Sequence, residues 1–385
     1  MHESSVAGLR PFGLERFFAK HEFKARHNLA ASDCETLSLT ELLNLASPKS
    51  RSLWENLTLA YTRAEGLPAL REAIADDYSR GDAEDVLTVV PVEGIYLALR
   101  ALVEGGDEVI APWPAYQSLY EVASASGATV KYWKPELGSG KESAAHFSIE
   151  TLRHLVGPKT KVIVVNFPHN PTGGHLSADE WQSLFEIAES VGAWVLSDEM
   201  YRGLEFNPTL TRLPAAYEMD YPHAISLCGL SKRHGLPGLR TGWLATRDKE
   251  IMGRLKQLKD YTTICAAAPA EILALIGLEA QDYLTHRSCE TIRVGFDAWE
   301  DMATEFTGLL SWSRPSAGPI AFVRLNHAER SGSDLCRELL NAAGVLVLPG
   351  EVYDSTYSAY FRIGVGRSDA PKAIAKAKEL LSDWI

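Results

Sequence analysis

Between about residues 69 and 247, apolar runs of strand length alternate with amphipathic stretches of helix length. That alternation is how a mostly parallel sheet with helices on both faces is encoded. It predicts an α/β fold with strands at 108–112, 129–133, 161–166, 194–198, 223–228 and 242–246, and helices including 94–103, 116–125 and 178–191. Ligands of such sheets sit beyond the carboxyl ends of the strands, so the polar residues that follow these runs are the ones to weigh.

After about residue 286 the pattern changes to a helix, a strand near 320–325, a helix near 334–343, a short strand at 345–348 and a last helix from Pro371. This reads as a smaller α+β domain, giving a large domain over 46–285 and a small one over 286–385. Residues 1–45 hold an amphipathic piece at 14–23 without strand alternation and are expected to pack with the small domain. A chain of 385 residues accommodates such a pair.

The formal charge of −12 disfavours a polyanion as the main partner and leaves small molecules. Cys34, Cys228, Cys265, Cys289 and Cys336 are scattered, odd in number and free of CxxC spacing, which fits a reducing cytoplasm better than a disulfide framework or a zinc knuckle. No basic stretch precedes a long apolar one at the N-terminus, and no apolar run reaches about 18 residues. No membrane association is expected. The histidines show no HExxH spacing, so no metal is expected either.

Four features follow strand ends in chain order: Asn166-Phe-Pro-His-Asn170-Pro-Thr-Gly173, Asp198-Glu-Met-Tyr201, Leu230-Ser-Lys232 and Arg240. Each is ordinary by itself. Asn-Pro-Thr-Gly is commonly a turn, an Asp after a strand a helix N-cap, and Ser-Lys a solvated pair. In this order and spacing they resemble the fold-type I pyridoxal-5'-phosphate (PLP) aminotransferases, the aspartate aminotransferase-like fold, and the resemblance runs from Tyr61 to Arg367.

The resemblance implies PLP as cofactor, held by Lys232 as a Schiff base, with Arg240 on the phosphate eight positions later. It also implies Asp198 against the pyridine nitrogen, Asn170 and Tyr201 on the phenolic oxygen, and Tyr116 on the ring face. Arg362, in Tyr-Phe-Arg362-Ile-Gly, matches the arginine that grips the substrate's α-carboxylate. Tyr61, five residues before Gly66, matches a tyrosine that reaches the neighbouring subunit's phosphate, which implies a homodimer with shared active sites.

Chemistry asks for these residue types. PLP draws electrons from the substrate Cα into its ring, best with the ring nitrogen protonated, and a carboxylate such as Asp198 favours that form. A lysine must lose its proton to form an imine, and burial near cations disfavours the ammonium. It then shuttles the proton between Cα and the cofactor. Phosphate and α-carboxylate both suit the planar fork of an arginine.

The pattern departs from the family at the phosphate. The segment before the helix near Glu93 is Val89-Val90-Pro91-Val92, where relatives place Gly, Ser or Thr, and Gly229 stands where a hydroxyl is often found. Pro91 has no N–H and valine no hydroxyl. The phosphate is therefore expected to rest on Arg240, Tyr61, Ser231 and the N–H groups of Val92 and Glu93, with weaker retention than usual. His234 reads either as a second acid/base group or as a packing residue.

Within the superfamily the wording is most similar to the capreomycidine synthase branch, whose namesake cyclises a hydroxylated arginine. The likeness lies in Val165-Asn-Phe-Pro-His-Asn170-Pro, Gly235-Leu-Pro-Gly-Leu-Arg240, Lys259-Asp-Tyr-Thr-Thr263 and Gly344-Val-Leu-Val-Leu-Pro-Gly350. Two reactions stay open: transfer of the amino group of an L-amino acid to a 2-oxo acid, and cyclisation or elimination without an acceptor. A PLP-sensing regulator is set aside, because it would need a basic DNA-binding module ahead of the enzyme-like part. Glu15, Asp33 and Glu35 are acids suited to a cationic side chain such as a guanidinium, or else an N-cap and solvated acids.

Overall fold

The run Thr160–Asn166 is buried at every position except Lys161, as a strand covered on both faces must be. Val162 and Val164 join one apolar core while Ile163 and Val165 join another, so successive side chains feed the two layers of helices. These relations come from a computed structural model describing residues 5–137, 145–207, 209–315 and 317–384, which leaves the first four residues of the N-terminal segment outside.

A two-residue strand, β1 (His27–Asn28), precedes the main sheet. That sheet comprises β2 (Val86–Val89), β3 (Glu108–Pro112), β4 (Thr129–Trp133), β5 (Thr160–Asn166), β6 (Trp194–Asp198), β7 (Ala224–Gly229) and β8 (Gly242–Ala245). The order is β2-β8-β7-β6-β5-β3-β4, parallel throughout except for β8, which runs antiparallel to both neighbours. The fold is thus α/β with a mostly parallel central sheet.

Sequence reasoning missed β2, a four-residue strand that leads through Val90 into Pro91 and has little pattern of its own. The helix expected at 94–103 starts earlier and spans Pro91–Leu102, because proline is tolerated in a helix's first turn. The helix expected at 116–125 starts at Ser118. Ala178–Val191 matches its expected bounds: Ser177 and Glu180 cap each other's backbone N–H at its start, and Gly192, at φ 69°, ends it.

The second sheet holds β9 (Leu310–Ser311), β10 (Ile320–Leu325), β12 (Leu348–Pro349) and β13 (Tyr360–Gly364), in the antiparallel order β12-β13-β10-β9. The strand expected at 345–348 divides. Its first half, β11 (Val345–Leu346), pairs in parallel with β1, and its second half, β12, pairs with β13. Leu14 and Ala30 from the N-terminal segment pack with Phe322, Leu346, Leu348 and Tyr353. The 25-residue helix Gln281–Glu305 runs unbroken past residues 285 and 286.

Candidate active site

Asn166 and Asp198 end adjacent parallel strands in register, and Asn166 Nδ2 donates to the Asp198 carbonyl at 3.0 Å. β7 ends at Gly229, so Ser231 and Lys232 emerge from the same edge of the sheet. Antiparallel β8 begins at that edge too, paired Gly229 to Gly242 and Val89 to Gly242. Arg240 and the N-terminus of the Pro91–Leu102 helix are thereby brought beside the lysine.

A cavity of about 340 Å³ opens there, lined by Asp198, Tyr201, Asn170, Ser231, Lys232 and Arg240. Val92, Tyr116, Arg362, Glu15 and Asp33 complete the set of expected residues that reach it. Lys232 Nζ donates to Ser32 Oγ at 2.9 Å, and burial lowers the lysine pKa. Burial also pushes the Asp198 carboxyl up to about 7, against a bond from Met200 N–H and the charge of Lys232, which lower it. An acid so placed gains from a cationic partner. Tyr201 is buried, and burial raises its pKa.

Arg362 is 1 % exposed. Its Nη1 donates to Asn170 Oδ1 and Tyr353 Oη, each at 2.9 Å, and Nη2 donates to the Ala30 carbonyl at 2.6 Å. Its Nε is buried without a partner. Ser231 Oγ is buried and likewise unpartnered. Tyr116 Oη donates to Glu15 Oε1 at 2.9 Å. Arg240, exposed, adopts φ 53° and donates to the Pro237 carbonyl at 3.1 Å, leaving most of its donors free to turn inward.

Three expected residues stay out of the cavity. The Glu93 carboxylate caps its own helix through Val90 N–H at 3.0 Å and accepts from the Thr263 hydroxyl at 2.8 Å, so only its backbone is available. Glu35 turns outward to accept from Ser368 N–H at 2.6 Å. Tyr61 lies 91 % exposed on the surface, outside this chain's cavity. His234 is no acid/base group here: it points into the protein, its nitrogens lack partners, and burial, then Arg233 and Arg212, hold it neutral with a pKa well below the usual value.

Asp33 reaches the cavity already paired, its carboxylate accepting two bonds from Arg367 at 3.0 and 2.9 Å. Arg367, Ser32 and Glu22 also line the cavity and escaped sequence reasoning. The signal for Arg367 was its place directly after Gly364-Val-Gly366, five residues after Arg362. The missing hydroxyl at Gly229 has a packing reason: a Cβ there would stand 3.1 Å from the Pro91 ring, and one at Gly242 would stand 2.9 Å from it. The Gly242 Cα and the Thr241 carbonyl oxygen would stand 3.1 Å from the Cβ at 229 as well, so the proline ring and the backbone of residues 241 and 242 together crowd a side chain there.

The residues fit a group that carries a phosphate, a basic ring nitrogen and an aldehyde, because each such part meets a suited partner: the buried, unpartnered Ser231 Oγ, the raised Asp198 acid and the amine of Lys232. A family model described as aminotransferase class I and II matches residues 27–375. Capreomycidine synthase of Streptomyces vinaceus is 29% identical over 96% of this chain and 93% of its own length. The structure of a PLP-dependent aminotransferase from Streptococcus suis aligns with a TM-score of 0.89 and 30% identity, covering 98% of this chain and 99% of that one. The PLP-dependent cyclase OrfR aligns at 0.87 and 26%, covering 99% and 97%.

Proposed function

This chain belongs to the aminotransferase class I and II family and uses pyridoxal 5'-phosphate, and on that premise we propose how its residues act on an L-amino acid. When bound, the cofactor supplies an electron sink for the pair left at the substrate's Cα. Lys232 would hold it, and its Nζ would take the Cα proton and hand it back. The lowered pKa of the buried amine supports that use.

Asp198 balances the ring nitrogen, Asn170 and Tyr201 hold the phenolic oxygen, and Tyr116 covers the ring. Arg240, Ser231 and the first N–H groups of the Pro91–Leu102 helix receive the phosphate, since a helix N-terminus leaves such donors unpaired. Arg362 grips the α-carboxylate and excludes water from it. The observation that carries this reading is Lys232 and Asp198 facing one cavity at the carboxyl edge of one sheet.

The reaction is transfer of the amino group to a 2-oxo acid. A second reading, cyclisation of a hydroxylated arginine, draws on the capreomycidine synthase likeness and on Glu15 and Glu22, acids that the N-terminal segment turns toward the cavity. Incubating the enzyme with amino acids, with and without pyruvate or 2-oxoglutarate, separates the two: turnover only with an acceptor selects the transferase, and turnover of hydroxyarginine without one selects the cyclase.

The proposed assembly is a homodimer with shared sites. Tyr61, Leu59 and Tyr261 are more than 85 % exposed, apolar surface that a second copy would cover, and Thr262, next to Tyr261, bonds to Glu93 of the helix that carries Val92 and Tyr96. The division into 46–285 and 286–385 is kept as a proposal, as is a cytoplasmic location, which five free cysteines support. Among the described residues no helix is long and apolar enough to cross a membrane.

A further inference from the structure

Ser32 lies on a stretch of the N-terminal segment that is held at both ends by arginines of the second sheet's side. Arg362 Nη2 binds the Ala30 carbonyl at 2.6 Å, and Arg367 binds the Asp33 carboxylate twice, at 3.0 and 2.9 Å. Leu29 adds two backbone bonds, accepting from Gly364 N–H at 2.8 Å and donating to the Leu346 carbonyl at 2.9 Å. At Gly364 a Cβ would lie 1.7 Å from the Ala31 carbonyl oxygen, so the segment and β13 are in backbone contact there. Residues 29–33 therefore behave as part of the site's frame, and Ser32 has little freedom to move away.

From that frame Ser32 Oγ accepts a 2.9 Å bond from Lys232 Nζ, across 200 residues of sequence. Tyr201 shares the same hydroxyl as a neighbour. We propose that Ser32 is a positioning residue for the reaction, docking the Lys232 amine whenever it is free of the cofactor and aiming it at the substrate's Cα. The inference rests on the function proposed above. A flexible four-carbon lysine has rotamer freedom to lose, and a fixed acceptor removes part of that search before each proton transfer.

Two measurements on Ser32→Ala and Ser32→Thr test it. In cofactor-free protein, the pH dependence of Lys232 acylation by an amine-selective reagent is followed by peptide mass spectrometry. Loss of the acceptor is expected to move the labelling midpoint down by about one pH unit in Ser32→Ala, with Ser32→Thr near wild type. In the holoenzyme, exchange of the substrate Cα hydrogen with deuterium from solvent is expected to slow at least about tenfold in Ser32→Ala, with KM and the cofactor's visible spectrum unchanged and partial recovery in Ser32→Thr. An unchanged labelling midpoint, or unchanged exchange with wild-type kcat, overturns the proposal. Failure of the wild type to form a coloured adduct at Lys232 would instead strike the functional reading, and the labelling result would stand apart from it.

Discussion

Arg362 Nη1 donates to Asn170 Oδ1 at 2.9 Å, tying the residue proposed for the substrate carboxylate to the one proposed for the cofactor ring. The two are 192 positions apart, and Tyr353 bonds to both. The two proposed subsites are therefore joined by direct hydrogen bonds.

Arg362→Lys keeps a charge but loses the fork and the unpartnered Nε. The expected result is a fall in kcat/KM of about a hundredfold or more, carried mainly by KM for the amino acid. Asn170→Ala is expected to raise KM as well, because it frees the guanidinium it now holds. Steady-state kinetics of both variants on one substrate measure this; an unchanged KM in both would contradict the coupling.

Asp198 predicts a pH signature in cofactor-free protein. With a folded pKa of about 7 against about 3.9 unfolded, the folded state keeps a proton that the unfolded chain has lost. Stability from this group therefore declines as pH rises from about 4 to about 7 and is flat above. The urea midpoint of wild type relative to Asp198→Asn is expected to fall across that window, by an amount equivalent to several kcal/mol at most. Added cofactor, by pairing the acid with a cation, is expected to shrink the difference.

Cofactor retention tests the phosphate end. Pro91 and Gly229 supply neither hydroxyl nor a first-turn N–H at their positions, so exhaustive dialysis is expected to strip colour from the wild-type enzyme. Arg240→Gln is expected to raise the Kd for the cofactor at least about tenfold beyond that. Equilibrium titration by absorbance checks both.

Shared sites would be revealed by complementation. Lys232→Ala and Tyr61→Ala, each inactive or nearly so, are mixed, unfolded and refolded together. Half of a random mixture of symmetric dimers is hybrid, and each hybrid holds one site with both native residues, so about a quarter of wild-type activity is expected. No recovery would place Tyr61 outside the partner's site.

The acids divide by direction. Glu15→Ala is expected to raise KM for arginine-like substrates far more than for alanine. Glu35→Ala should leave the ratio unchanged, because Glu35 faces Ser368. Asp33→Ala is expected to harm both substrates alike, since its partner is Arg367.

The parallel sheet, the helix caps and the four strand-end motifs were determined by the sequence itself. They depend on period, local hydrogen bonding and turn chemistry within a few residues, and Val162 to Val165 or Ser177 with Glu180 carry that information where they stand. The tertiary structure decided which acid enters the cavity and which turns away, that Ser32 meets Lys232, that Arg367 pairs with Asp33, and that Pro91 and the backbone of residues 241 and 242 crowd a side chain at 229. Those outcomes join residues hundreds of positions apart through packing and backbone contact. Side-chain direction at such junctions is set by what arrives from elsewhere in the chain, and no local pattern records it.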